Sequence, residues 1–72
     1  MAEIVYTVEA ILAWVNNRKS PVEVTITKTT GDCVVYAGSI ETVRQSLQSL
    51  DAAGGFTNID RILLQESPRK PA

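Results

Sequence analysis

Hydrophobic and polar residues follow several different patterns along this chain, and each pattern predicts one kind of element. The first is helical, with apolar residues recurring every three or four positions, at Val8, Ile11, Leu12 and Val15. This spacing predicts an amphipathic helix. Thr7 is placed to cap the N-terminus of the helix, and Pro21 prevents the helix from continuing into the next segment.

The segment VEVTITKT, residues 22–29, alternates between apolar and polar residues as far as Thr27. This is the period of a half-buried β-strand. The segment TTGD then turns the chain and CVVYAG returns it. Together these segments predict a β-hairpin around Gly31.

Two registers of this hairpin are open. A three-residue loop of residues 30–32 gathers the apolar residues of both strands on one face, namely Val24, Ile26, Val34 and Tyr36. A two-residue loop moves Tyr36 to the threonine face, because a slip of one residue turns every side chain over. We expect the three-residue loop, since it keeps the apolar residues together.

The segment SIETVRQSLQSLDAAGG predicts a second helix that begins after Ser39, its N-cap, and ends at Gly54 in a left-handed conformation. Its apolar residues fall at Ile40, Val43, Leu47 and Leu50. The rest of its surface is mostly uncharged, with Gln45, Ser46, Gln48 and Ser49 beside the charged residues Glu41, Arg44 and Asp51. Such a surface is unusual for a helix that only covers a core, which raises the question of what it contacts.

Two further segments complete the pattern. EIVYT, residues 3–7, predicts either a short strand or a lead-in to the first helix. IDRILLQ, residues 59–65, predicts a last strand with apolar residues on both faces, Ile62 and Leu64 on one and Ile59 and Leu63 on the other. The order (β)αββαβ defines an α+β fold with a small antiparallel or mixed sheet and two helices packed on one face.

If residues 3–7 form a strand, this order matches the ferredoxin-like split βαβ arrangement, and otherwise a three-stranded variant remains. We expect a single domain over residues 1–66. The polar, proline-containing segment SPRKPA predicts a flexible C-terminal tail over residues 67–72.

The size and composition limit how the fold is stabilised. A chain of 72 residues supports one domain with a small core and marginal stability. Cys33 is the only cysteine and histidine is absent. A disulfide within one chain and a zinc site of thiolates and imidazoles are therefore excluded. We expect no metal and no cofactor, and self-association as a homodimer.

The charge pattern disfavours two classes of partner. The seven Lys and Arg residues are scattered and are balanced by eight Asp and Glu residues, whereas nucleic-acid binding needs clustered cations. No apolar stretch approaches the length of a membrane span, and the N-terminal segment lacks the features of a signal peptide. With one unpaired cysteine, the sequence predicts a cytoplasmic protein without a membrane contact.

The sequence carries little that predicts catalysis. Proton transfer near neutral pH usually needs histidine or a carboxylate with a shifted pKa, but histidine is absent and the carboxylates are spread singly. Cys33 has no identifiable activating base, and at the start of an apolar strand it is expected to be a small buried hydrophobe. The segment YAGSIETV lacks the lysine and the further glycines of a phosphate loop. We predict that the chain is not an enzyme.

Six residues are candidates for contact with a partner, namely Trp14, Tyr6, Tyr36, Arg44, Gln45 and Gln48. Trp14 lies at the margin of the first helical stripe and is interpreted either as the edge of a small core or as an interface anchor. Tyr6 and Tyr36 can share a sheet face, as stacking aromatics do in RNA-binding sheets. The three residues of the second helix face outward, where a neutral surface contacts either a partner or water.

These patterns favour a small non-catalytic module that binds another protein, as an inhibitor, adaptor or regulatory subunit, and that forms a homodimer. Small proteins of phages and other mobile elements often have the same small size and the same lack of catalytic residues. The two helices cover only one side of the sheet, so its other face is available for contact. The alternative is a nucleic-acid-binding module that uses this open face with Lys28, Arg61 and the basic pair Arg69 and Lys70.

Overall fold

Six elements follow one another in the predicted order in the computed structural model, which describes residues 2–66. They are β1 (Glu3–Val5), α1 (Val8–Asn16), β2 (Val22–Lys28), β3 (Cys33–Gly38), α2 (Ile40–Ala52) and β4 (Ile59–Glu66). Because the short strand β1 is present, the α+β fold has four strands and the three-stranded variant is excluded. The predicted tail of residues 67–72 lies outside the described residues.

The four strands form one antiparallel sheet in the order β1-β4-β2-β3. Strand β4 lies between β1 and β2, and β2 lies between β3 and β4. Both βαβ units are therefore split by a strand from the other unit, which confirms the split βαβ arrangement. Strands β2 and β4 are central, whereas β1 and β3 form the two edges.

The core lies between the two helices and one face of the central strands. Its buried residues are Ile11, Trp14, Val15, Val22, Val24, Ile26, Val43, Leu47, Ile62 and Leu64. The strand residues in this set alternate along β2 and β4, so their intervening neighbours point to the other face of the sheet. The helices thus leave that second face uncovered, as the sequence predicts.

The hairpin between β2 and β3 has the predicted faces but a different loop. Val24 pairs with Tyr36, and Ile26 pairs with Val34, so the apolar residues share the face that the helices cover. The three-residue loop spans residues 29–31 and not residues 30–32 as predicted. The two loops place the same residues on the same face, because the pairing of the strands differs by two residues and the side-chain period is two.

The predicted caps are present at both helices. The Thr7 hydroxyl accepts a hydrogen bond from the Ala10 N–H at 3.2 Å. The Ser39 hydroxyl accepts one from the Thr42 N–H at 3.3 Å. Gly54 has a φ of +75°, the left-handed conformation expected where the second helix ends.

The prediction that Ile59 lies on the same face as Leu63 was wrong, because the pairing of β2 with β4 contains a bulge. Thr27 pairs with Arg61, but the next residue of β2, Lys28, pairs with Ile59. Asp60 is the additional residue on β4, and a single extra residue reverses the direction of the side chains beyond it. Ile59 consequently packs against the core and does not share the outer face with Leu63.

Candidate functional site

The uncovered face of the sheet carries a stripe of four residues, three of them apolar and one a threonine, that crosses all four strands. We call this surface the open face. Ile4 pairs with Leu63, Leu63 pairs with Thr25, and Thr25 pairs with Val35, so these four residues lie in one row. Ile4 is 50% exposed and Val35 is 54% exposed at the two ends of the row. Leu63 and Thr25 are half-buried between them.

Polar residues flank this stripe on the central strands. Gln65 donates a hydrogen bond from Nε2 to Oε1 of Glu23 at 2.8 Å, and the two residues pair directly across β2 and β4. On the other side of the stripe, Thr27 pairs with Arg61. The open face therefore has an apolar centre with a polar surround, which is the usual composition of a protein–protein contact surface.

Cys33 is exposed, which corrects the prediction that it is a buried hydrophobe. It pairs with Thr27 and lies on the open face at the first position of β3. The prediction was wrong because β3 is an edge strand whose outer face the helices do not cover. An apolar strand sequence is not sufficient evidence that both of its faces are buried.

Trp14 is 8% exposed and belongs to the core. The guanidinium carbon of Arg18 lies 4.9 Å from the centroid of its ring and covers the side that the core leaves open. This placement corresponds to the interpretation of Trp14 as the edge of a small core. The ring is not an exposed surface for a partner in this conformation.

The two tyrosines do not lie together. Tyr6 follows β1 and is 67% exposed. Tyr36 is half-buried and packs against the core on the helix side of β3. Because Tyr36 points away from the open face, the two rings do not form a platform on which nucleic-acid bases can stack.

The three candidate residues of α2 lie in different environments. Gln45 is exposed and lines a groove together with Tyr36, whereas Gln48 is exposed elsewhere on the helix. Arg44 is half-buried, and its Nη1 lies 3.4 Å from the Glu41 carboxylate. Gln45 also donates to Glu41, at 3.4 Å. Arg44 and Gln45, three and four residues after Glu41, therefore flank the same carboxylate, and only Gln45 also borders the groove.

The groove lined by Gln45 runs between α2 and the edge strand β3, and we call it the α2–β3 groove. It is open to solvent, has a volume of about 560 Å³ and is lined by Tyr36, Thr42, Gln45, Ser46, Ser49 and Leu50. None of these six residues is Asp, Glu, Lys, Arg or His. The structure therefore places most of the neutral surface of α2 beside an edge strand that is itself uncharged.

Sequence reasoning missed this edge of the sheet as a candidate site. The signal was present, because CVVYAG contains no charged residue and no proline. Its meaning depends on the strand order, since the same sequence in a central strand is an ordinary buried segment. Only the structure shows that β3 lies at an edge.

Within residues 2–66, no group of three or more His, Cys, Asp or Glu side chains is positioned to hold a metal ion. No helix in the same range is long and apolar enough to cross a membrane. The chain matches no protein-family model, no curated protein and no solved structure. The function of the chain is therefore inferred from the surfaces of its own fold.

Proposed function

We propose that this chain is a small non-catalytic module that binds another protein and forms a homodimer. The observation that carries the protein-binding part of this proposal is the stripe of the open face, in which Ile4, Leu63 and Val35 lie in one row across the sheet. Exposed apolar residues that form a continuous patch with a polar surround are typical of interaction surfaces. An inhibitor, adaptor or regulatory subunit acts through such a surface.

The open face favours a protein over a nucleic acid as the partner. Arg61 is the only basic side chain among the strand residues of the open face that the structure describes, and the carboxylate of Glu23 lies on the same face. Lys28 pairs with Ile59 on the helix side of the sheet. A surface for single-stranded nucleic acid combines several cations with stacking aromatics.

A capture experiment with two matched lysine variants tests the proposal. Ile4→Lys places a charge at an exposed end of the stripe, whereas Gln48→Lys places the same charge on an exposed position of α2 away from the open face. The immobilised wild-type chain and both variants are incubated with an extract of cells that produce the protein, and retained proteins are identified by mass spectrometry.

We expect the wild type and Gln48→Lys to retain the same protein and Ile4→Lys to lose it. Equal capture by all three chains, or no protein above background, would contradict the proposal. Retention of a labelled single-stranded oligonucleotide at low salt, lost as salt is raised, would instead support the nucleic-acid-binding alternative.

A further inference from the structure

The outer edge of β3 has backbone groups with no partner among residues 2–66. The Lys28 N–H donates to the Asp32 carbonyl at 2.8 Å, so these two residues form a hydrogen-bonded pair. This pair determines which of the later residue pairs in the hairpin are hydrogen-bonded. Because inward and outward residues alternate along an antiparallel strand, the even-numbered residues of β3 point their backbone groups toward β2. Cys33, Val35 and Ala37 point theirs outward, where no described strand pairs with them.

Strand β3 also lacks the features by which natural proteins keep edge strands apart. Such features are charged side chains, prolines, bulges and very short length. β3 has six residues with no charge and no proline, and its pairing with β2 runs without a bulge. The other edge strand, β1, has three residues and includes Glu3. The two edges therefore differ, and β3 is the one suited to accept another strand.

We propose that β3 pairs with β3 of a second copy of this chain, so that the two four-stranded sheets join into one continuous sheet. The inference rests on the proposed function, because it assigns the surface through which the module self-associates. A two-fold axis perpendicular to the sheet makes this pairing antiparallel and brings the same residues of both copies together. It also keeps the helices of both copies on one side of the joined sheet.

One register satisfies the outward backbone groups of the edge. When Val35 lies opposite Val35 of the second copy, Cys33 lies opposite Ala37, and all three outward residues form hydrogen-bonded pairs. On the helix side the same register places Val34 opposite Tyr36. Val34 is 36% exposed in the single chain, and pairing with an aromatic residue covers it favourably.

The neutral surface of α2 favours a second copy as the occupant. In the joined sheet, the α2–β3 groove of one copy faces the same groove of the other, since both grooves border the paired edge. None of the groove residues is charged, so the two-fold axis brings no like charges together. An acidic or basic segment of a different protein finds no opposite charge on this edge. The residues Gln45, Ser46 and Ser49 of α2 are thereby assigned to a polar contact.

Sedimentation equilibrium on three chains tests this assignment. Val35→Lys places two lysines directly opposite each other in the proposed dimer, and like charges in that position are destabilising. Ile4→Lys is the matched control, because Ile4 is similarly exposed on the open face but lies on the opposite edge strand. Circular dichroism verifies that each variant is folded.

We expect a wild-type dimer, an Ile4→Lys dimer of similar affinity, and a dissociation constant for Val35→Lys that is raised roughly tenfold or more. A folded wild-type monomer at all concentrations, or equal dimerisation of all three chains, would overturn the proposal. Equal loss in both variants would overturn it too, because that result indicates packing between two open faces. The capture of another protein by the open face is measured separately, so the binding of another protein and the pairing of β3 can each fail without the other.

Disulfide trapping tests the register. Ala37→Cys places a thiol opposite Cys33 of the second copy, where the two Cα atoms of a hydrogen-bonded pair are about 5.5 Å apart and within disulfide range. Two thiols four residues apart on one strand are too distant to bridge within a chain. We expect Ala37→Cys to form a covalent dimer on mild oxidation. Failure to trap it, or faster trapping of the wild type through Cys33 alone, would contradict this register.

Discussion

The guanidinium group of Arg18 lies over the indole ring of Trp14, with 4.9 Å between the guanidinium carbon and the ring centroid. The same side chain extends toward β4, where its Nη1 lies 3.8 Å from the Glu66 carboxylate. Arg18 thus covers the margin of the core on the side where Trp14 would otherwise contact water. The relationship identifies Trp14 as a structural residue in the single chain.

Trp14→Ala is therefore expected to unfold the domain or leave it close to unfolding. Removing a buried tryptophan costs about 3–5 kcal/mol, and a small domain has only about 5–15 kcal/mol of unfolding free energy in total. Urea denaturation followed by circular dichroism measures this loss, with Trp14→Phe as a milder control. A Trp14→Ala chain with nearly wild-type stability but lost partner binding would support the anchor interpretation instead.

The two glycines after α2 are expected to differ in their tolerance of alanine. Gly54 has a φ of +75°, but a Cβ added there would have open space around it. Gly54→Ala should therefore cost only the strain of holding an alanine in the left-handed conformation, which is about 1–2 kcal/mol. A Cβ on Gly55 would lie 2.7 Å from Cγ of Leu50 and 3.1 Å from its carbonyl oxygen. Leu50 packs against the core on one side and lines the α2–β3 groove on the other.

Gly55→Ala should therefore disturb the packing of Leu50 and cost about 1–3 kcal/mol. Thermal unfolding of both alanine variants measures the costs, and Gly55→Ala combined with Leu50→Ala separates the steric part. In the combined variant the second substitution removes the clash, so the two effects should be less than additive. Full additivity would show that the Leu50 contact is not the cause.

The hydrogen bond between Gln65 and Glu23 predicts a measurable coupling between β4 and β2. Its length is 2.8 Å, its acceptor is a carboxylate, and both residues are half-buried. Such bonds contribute about 1 kcal/mol. A double-mutant cycle with Glu23→Ala and Gln65→Ala is expected to give a coupling of this size in urea unfolding. A coupling near zero would show that the pair is no more than a solvated contact.

Much of the fold was predictable because its signals are local. The alternation of residues 22–27 and the caps Thr7 and Ser39 define elements from sequence neighbours alone. Ile59 could not be placed correctly, because the bulge that reverses its direction depends on pairing with a distant strand. The loop of the hairpin was displaced by one residue for a related reason, since both alternatives keep the same faces.

The candidate contact residues were predicted less well, because exposure depends on strand order and on distant side chains. Trp14 is marginal on a helical wheel, but Arg18 covers it in the folded chain. Tyr36 was predicted to lie with the apolar residues Val24 and Ile26, and the pairing of β3 places it there, so a sheet face shared with Tyr6 is excluded. Gln45 was selected as a polar residue on the outward face of the second helix, and its position in the α2–β3 groove is the observation that gives it a specific role.

Amide hydrogen exchange along β3, measured at low and high protein concentration, is the decisive test of the pairing between two copies. The inward N–H groups of Val34 and Tyr36 should be protected at both concentrations, because they face β2. The outward N–H groups of Cys33, Val35 and Ala37 should exchange rapidly in dilute solution and become protected as the concentration rises. Rapid exchange of these three amides at every concentration would contradict the pairing of β3 with a second copy.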